Sequence, residues 1–135
     1  MAELFCNGGA MRGGNLHHNV SAHRFLGAVR TAPIYRFFSV RDEFPALLLT
    51  EVGGASVEGE LYDVPLERIR TDFLPEEPPE LELTVVALDD GRSVLAVGLR
   101  PGLLESNADE FTEITEHGGW RQYRGLPDPD RAPAS

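Results

Sequence analysis

Asn7-Gly8-Gly9-Ala10-Met11-Arg12-Gly13-Gly14 follows the apolar stretch Glu3 to Cys6 and carries four glycines within seven positions. The apolar stretch reads as a strand and the glycines as a loop free to take positive φ. Without Cβ atoms in the way, several backbone N–H groups of such a loop can converge on one anion, such as a substrate carboxylate. A plain tight turn has the same composition, so the loop does not by itself specify a ligand. It lacks the lysine of a phosphate loop and the full pattern of a dinucleotide fingerprint.

Outward from this loop, Phe25 to Arg30 and Tyr35 to Val40 read as strands around the turn Thr31-Ala32-Pro33, and Leu47 to Val52 and Ala55 to Val64 as a hairpin around Gly53-Gly54. Leu66, Ile69 and Phe73 recur at helical spacing after Pro65, predicting a short amphipathic helix. The prolines of Leu74-Pro75-Glu76-Glu77-Pro78-Pro79-Glu80 end it in a stiff acidic connector. Leu81 to Leu88 and Ser93 to Leu99 form a second hairpin around Asp89-Asp90-Gly91. The stretch through Ile114 to Tyr123 carries mixed signals and reads as a loop with a short helix or strand. These elements predict one domain over 1–124, and the Pro, Asp, Ala and Ser of 125–135 predict a disordered tail. Hairpin order with few helices favours an α+β fold: a small mixed, mainly antiparallel β-barrel with flanking short helices.

The chain has 135 residues and a formal net charge of -10, from 22 acidic and 12 basic side chains, a balance that repels phosphate backbones and anionic lipid. Nucleic acid and membrane are therefore poor partners. Every basic residue is arginine, which removes lysine Schiff-base chemistry. The single cysteine, Cys6, cannot close an internal disulfide, and no secretory signal pattern opens the chain, so the expected home is the cytoplasm.

The connector gathers Glu76, Glu77, Glu80 and Glu82 just after Asp72. Crowding and partial burial raise a carboxyl pKa toward neutrality, which suits a proton shuttle, although a solvated acidic loop has the same composition. His17, His18, His23 and His117 lack chelating spacing, so no metal is expected. Cys6 beside a histidine is a possible nucleophile, but a cysteine in an apolar strand is more commonly a buried small hydrophobe. Trp120, beside Gly118-Gly119, reads as a core plug or a lid contact.

With Phe5-Cys6-Asn7-Gly8-Gly9-Ala10-Met11 set against the later Glu77, the chain resembles the gamma-glutamylcyclotransferase-like family, in the branch related to the C-terminal domain of allophanate hydrolase. Thr31 to Arg36, Val57 to Tyr62, Leu88 to Gly91 and Ile114 to Tyr123 support the resemblance. It implies a small mixed barrel with flanking helices and a cofactor-free enzyme. Its substrate site would be formed by Asn7, Gly8, Gly9, Ala10, Met11 and Tyr35, with Glu77 as the catalytic acid/base. The implied reaction is attack of a γ-glutamyl amide's own α-amine on its γ-carbonyl, releasing 5-oxoproline and an amine. Here the loop's aromatic is replaced by Asn7, its hydroxyl residue by Gly9 and its leucine by Ala10, which leaves a backbone cradle without the family's side-chain contacts. Pro78 and Pro79 follow Glu77 where the family has glycine, so the catalytic register could slide to Glu80. The alternative is a non-catalytic small-metabolite binding or accessory module on the same fold.

Overall fold

The computed structural model describes residues 2–130; Met1 and residues 131–135 lie outside the described part. The chain runs β1 (Ala2–Cys6), β2 (Arg24–Arg30), β3 (Tyr35–Val40), β4 (Phe44–Leu49), β5 (Glu58–Val64), α1 (Leu66–Arg68), β6 (Leu81–Ala87), β7 (Ser93–Leu99), α2 (Leu103–Ser106), β8 (Phe111–Glu113) and α3 (Trp120–Arg124). The fold is α+β, as expected, but the barrel is not closed. Its strands form a five-stranded sheet in the order β2-β5-β1-β7-β6 and a three-stranded sheet in the order β4-β3-β8.

β1 lies in the middle of the larger sheet because Leu4, Phe5 and Cys6 are all buried, leaving no side chain that needs water. It runs antiparallel to β5 and parallel to β7, and the register sets Cys6 opposite Glu60. The glycine loop therefore leaves the sheet directly above a buried carboxylate. The β6–β7 hairpin forms around Asp90 and Gly91 as expected, with Gly91 at φ 91°.

Neither the expected Thr31-Ala32-Pro33 turn nor the expected Gly53-Gly54 hairpin joins strands of one sheet. β2 and β3 belong to different sheets, so Thr31-Ala32-Pro33 is a crossover, pinned where the Thr31 hydroxyl accepts the Val57 N–H at 2.9 Å. β4 and β5 are also in different sheets, and Gly53-Gly54 is a close approach: a Cβ on Gly54 would sit 2.7 Å from the Ile34 carbonyl carbon. The hairpin of this region joins β3 to β4 through Arg41 and Asp42, at φ 53° and 57°. Asp42 tolerates that left-handed backbone because its N–H and its carboxylate both bond the Ser39 hydroxyl, a local bond that short polar side chains can make.

The helix expected after Pro65 is present, but it is not uniform. α1 gives way to a π turn over Ile69–Phe73 and a 3-10 turn over Leu74–Glu76, which end at the prolines. Ile69 and Phe73 point into the core while Leu66 is exposed. Of the mixed-signal stretch, Thr115–His117 forms a 3-10 turn and Trp120–Arg124 forms α3. Of the expected tail 125–135, residues 131–135 lie outside the described part; before them Leu126 donates its N–H to the Arg121 carbonyl and Asp130 contacts Arg12.

Candidate functional site

The glycine loop, the β3–β4 turn, the acidic connector, α3 and the segment after it enclose a cavity of about 540 Å³. The loop contributes Asn7 through Leu16, the connector Phe73, Glu76, Glu77 and Pro78, and α3 Trp120, Arg121 and Arg124. Asn7, Gly8, Gly9, Ala10, Met11 and Glu77, far apart in sequence, thus share one wall system. Tyr35 does not join them. Its ring is buried and its hydroxyl accepts the Ala87 N–H at 2.9 Å, beside a separate small recess.

Positive φ is not what most of the loop glycines supply. Within the loop only Gly13 takes it, at 85°. Gly8 and Gly9 are there for space: an added Cβ would meet Pro45 Cδ at 2.7 Å or Asn15 Oδ1 at 2.6 Å, and on Gly14 it would overlap the Gly9 carbonyl. Turn bonds from Met11 N–H to the Gly8 carbonyl and from Leu16 N–H to the Gly9 carbonyl fold the loop back on itself. Among the described residues the N–H groups of Gly8, Gly9 and Ala10 have no protein acceptor, nor does the buried Asn7 Nδ2. Buried donors are almost always paired in folded proteins, so the orphan Asn7 Nδ2 at the cavity wall points to a ligand acceptor.

The connector's carboxylates separate into distinct environments. Glu76 accepts from Asn19 Nδ2 at 2.6 Å and from His18 Nε2 at 3.0 Å, and the first of these holds its carboxyl below the ordinary range. Glu80 pairs with Arg41 at 2.9 Å outside the cavity, Glu82 with Arg100, and Asp72 with Arg68. Half-buried Glu77 lines the cavity, where burial and then the charge of Glu76 push its carboxyl up to about 7. A group titrating there holds and releases a proton with comparable ease at neutral pH.

Beneath the loop lies a charge cluster that sequence reasoning missed. Glu60 is fully buried. One carboxylate oxygen accepts the Arg12 backbone N–H at 2.8 Å and the Tyr62 hydroxyl at 2.9 Å, and the other accepts Arg12 Nε and Arg121 Nη2, both at 2.9 Å. Burial alone would raise the Glu60 carboxyl; the Arg12 amide and the two guanidiniums outweigh it and hold the group below its ordinary value. The available signal was the two-residue spacing of Glu60, Tyr62 and Val64, which sets the carboxylate on the same strand face as two apolar-bodied side chains.

Cys6 is not set up as a nucleophile. Burial, then the charges of Glu77 and Glu60, push its thiol far above the usual range and keep it protonated. His17 donates Nδ1–H to the Ala10 carbonyl at 2.9 Å and so braces the loop. Among the described residues no three His, Cys, Asp or Glu side chains form a metal-binding group, and no helix is long and apolar enough to cross a membrane. Trp120, 7% exposed, forms part of the cavity wall and tilts against Tyr123 at a centroid distance of 5.8 Å.

Fold and cavity together define a small α+β protein with a pocket lined by both carboxylates and guanidiniums. The chain belongs to the allophanate hydrolase C-terminal domain family, whose sequence profile matches residues 2–125. It is similar to a uropathogenic E. coli-specific protein at 33% identity, with a TM-score of 0.85 over 94% of this chain and 98% of that one. Allophanate hydrolase from Kluyveromyces lactis shares the fold at 23% identity and TM-score 0.82, over 92% of this chain but only 21% of the longer enzyme. An AIG2-like protein from Mus musculus shares it at 22% identity and TM-score 0.64, over 97% and 99% of the two chains. The fold is thus common to AIG2-like proteins and the allophanate hydrolase C-terminal domain. No curated protein matches the chain.

Proposed function

We propose that this chain is a metal-independent, cofactor-free enzyme acting on a γ-glutamyl amide or a related amino-acid derivative in the cytoplasm, with Glu77 as its acid/base. The observation that carries this reading is the placement of Glu77, with its carboxyl near 7, across the same cavity as three unpaired loop amides. The substrate carboxylate sits on the N–H groups of Gly8, Gly9 and Ala10, joined by Asn7 Nδ2. Glu77 takes a proton from the α-amine as the nitrogen attacks the γ-carbonyl, forming the ring C–N bond. It then returns that proton to the departing amine as the original amide bond breaks, so the carboxylate ends as it began.

The decisive experiment follows 5-oxoproline release from a panel of γ-glutamyl amines. Glu77→Gln keeps the side chain's size but cannot accept a proton, so turnover is expected to fall about 10²- to 10⁴-fold. Glu80→Gln, in a carboxylate bonded to Arg41, is expected to leave turnover near normal, and loss there instead would move the catalytic role. Activity is expected to survive exhaustive chelation, and rescue of a chelated sample by metal would overturn that part.

The family match favours a second reading: a binding or accessory module for small carboxylated urea derivatives, which keeps the cradle and has lost the chemistry. Thermal-shift stabilisation by ureido acids with no turnover on the γ-glutamyl panel would select it.

A further inference from the structure

Arg12 stands at the junction between the buried cluster and the cavity, and each side of its guanidinium is occupied. Nε bonds Glu60 at 2.9 Å, and Cζ lies 4.3 Å above the Phe25 ring centroid. Nη1 and Nη2 meet the two carboxylate oxygens of Asp130 at 3.0 and 2.8 Å. The inner partner is fully buried, whereas the Asp130 side chain is 54% exposed. Asp130 also lies beyond residues 2–125, the span shared with the family. It is brought back by a strap in which Leu126 and Pro127 line the cavity, Leu126 N–H bonds the Arg121 carbonyl, and Asp128 accepts the Asp130 N–H.

We propose that the outer edge of Arg12 is an anion subsite of the cavity, plugged in the free chain by Asp130, and that a small carboxylate opens it by displacing the strap of residues 126–130. A planar guanidinium edge offers two parallel donors matched to one carboxylate, and Glu60 with Phe25 holds that edge in place without any help from Asp130. A ligand carboxylate can therefore replace Asp130 bond for bond while the inner cluster stays intact. The strap competes as a tethered rival, and the apparent affinity is lowered by the fraction of time that Arg12 is free. This rests on the functional reading above in taking the ligand to be a small carboxylate; with the loop amides holding one carboxylate, the Arg12 edge takes a second, and binding here requires no turnover.

Calorimetric titration of the full chain with glutarate, and with glutaramide as its uncharged counterpart, tests the subsite. Asp130→Asn is expected to tighten glutarate roughly tenfold, as for a plug docked about nine-tenths of the time, and to leave glutaramide unchanged. Glu43→Gln removes a charge from the same cavity rim without touching Arg12 and is expected to shift glutarate less than about threefold. Equal tightening in both variants, a change under about threefold for Asp130→Asn, or no glutarate binding in any of these proteins overturns the proposal. Absent 5-oxoproline release with this pattern intact would count against the enzyme reading alone, and normal release without the pattern against the subsite alone.

Discussion

The backbone N–H and the Nε of Arg12 both end on the carboxylate of Glu60, 48 residues further along the chain, at 2.8 and 2.9 Å. One buried anion thereby ties the glycine loop to β5, and through Arg121 to α3. Glu60→Gln keeps the shape but leaves Arg121 without its charge partner and Arg12 with Asp130 alone, a loss expected to cost about 3 kcal/mol. Thermal unfolding should show it as a fall of about 10 °C. Because the folded chain holds this carboxyl below its ordinary 4.5, the stability it provides is complete above pH 4.5 and is lost as pH falls through the folded value. The variant's acid unfolding limb should therefore be shallower than the wild type's, and parallel limbs would rule out the cluster as its source.

Glu77 carries the opposite linkage. Its carboxyl sits at about 7 in the fold against an ordinary 4.5, so the folded state holds the proton more tightly and stability declines as pH rises through that interval. Glu77→Gln stays neutral, and is expected to match the wild type near pH 4.5 and exceed it at pH 8 by on the order of 1 to 3 kcal/mol. Melting curves at the two pH values decide it: an equal difference at both would mean that Glu77 does not titrate near 7.

The same titration sets the activity profile. If Glu77 receives the proton in the rate-determining step, kcat/KM rises with pH through about 7 and then levels off. A rate independent of pH from 5 to 8 would exclude that role.

Asn7→Ala separates binding from folding. The Asn7 Nδ2 has no protein partner, so its removal breaks no donor bond and is expected to move the melting temperature by less than about 3 °C. With a bound carboxylate the lost donor should weaken affinity about tenfold, measured as KM or Kd. A large stability loss with unchanged affinity would make the side chain structural.

Two neighbouring glycines should respond differently to alanine. On Gly14 the new methyl overlaps the Gly9 carbonyl, and overpacking against backbone is expected to cost about 3 kcal/mol. On Gly13 the methyl meets open space, and the left-handed backbone alone costs about 1 to 2 kcal/mol. Urea unfolding of the two variants gives the comparison, and an equal loss would refute the packing argument.

Features that depend on a few adjacent residues were legible before the structure. The β1-to-loop transition, the Asp89-Asp90-Gly91 turn and the helix ending at the prolines each follow from local backbone preferences. The pairing of the loop with Glu77 did not follow from local pattern; it was implied only by the family resemblance carried by Asn7 to Met11 and the downstream glutamate. Strand pairing was less legible. Thr31-Ala32-Pro33 and Gly53-Gly54 have turn chemistry, yet a chain that breaks direction can as readily cross between sheets, and only packing chooses. The Arg41-Asp42 hairpin has no glycine to announce it and depends on the Ser39 hydroxyl.

The sequence by itself determined the composition of the site: a glycine loop after a buried strand, an acidic connector stiffened by proline, and arginine as its sole strong cation. Those are properties of short segments and of side-chain chemistry. Tertiary structure alone decided that Glu77 faces the loop while Glu80 pairs with Arg41, that Tyr35 lies elsewhere, and that Glu60 collects Arg12 and Arg121. The reason is physical: a carboxylate's role follows from its burial and from the charges brought within a few ångströms of it. Apart from Glu76 beside Glu77, the charges that decide these roles come from residues tens of positions away, which no local pattern specifies.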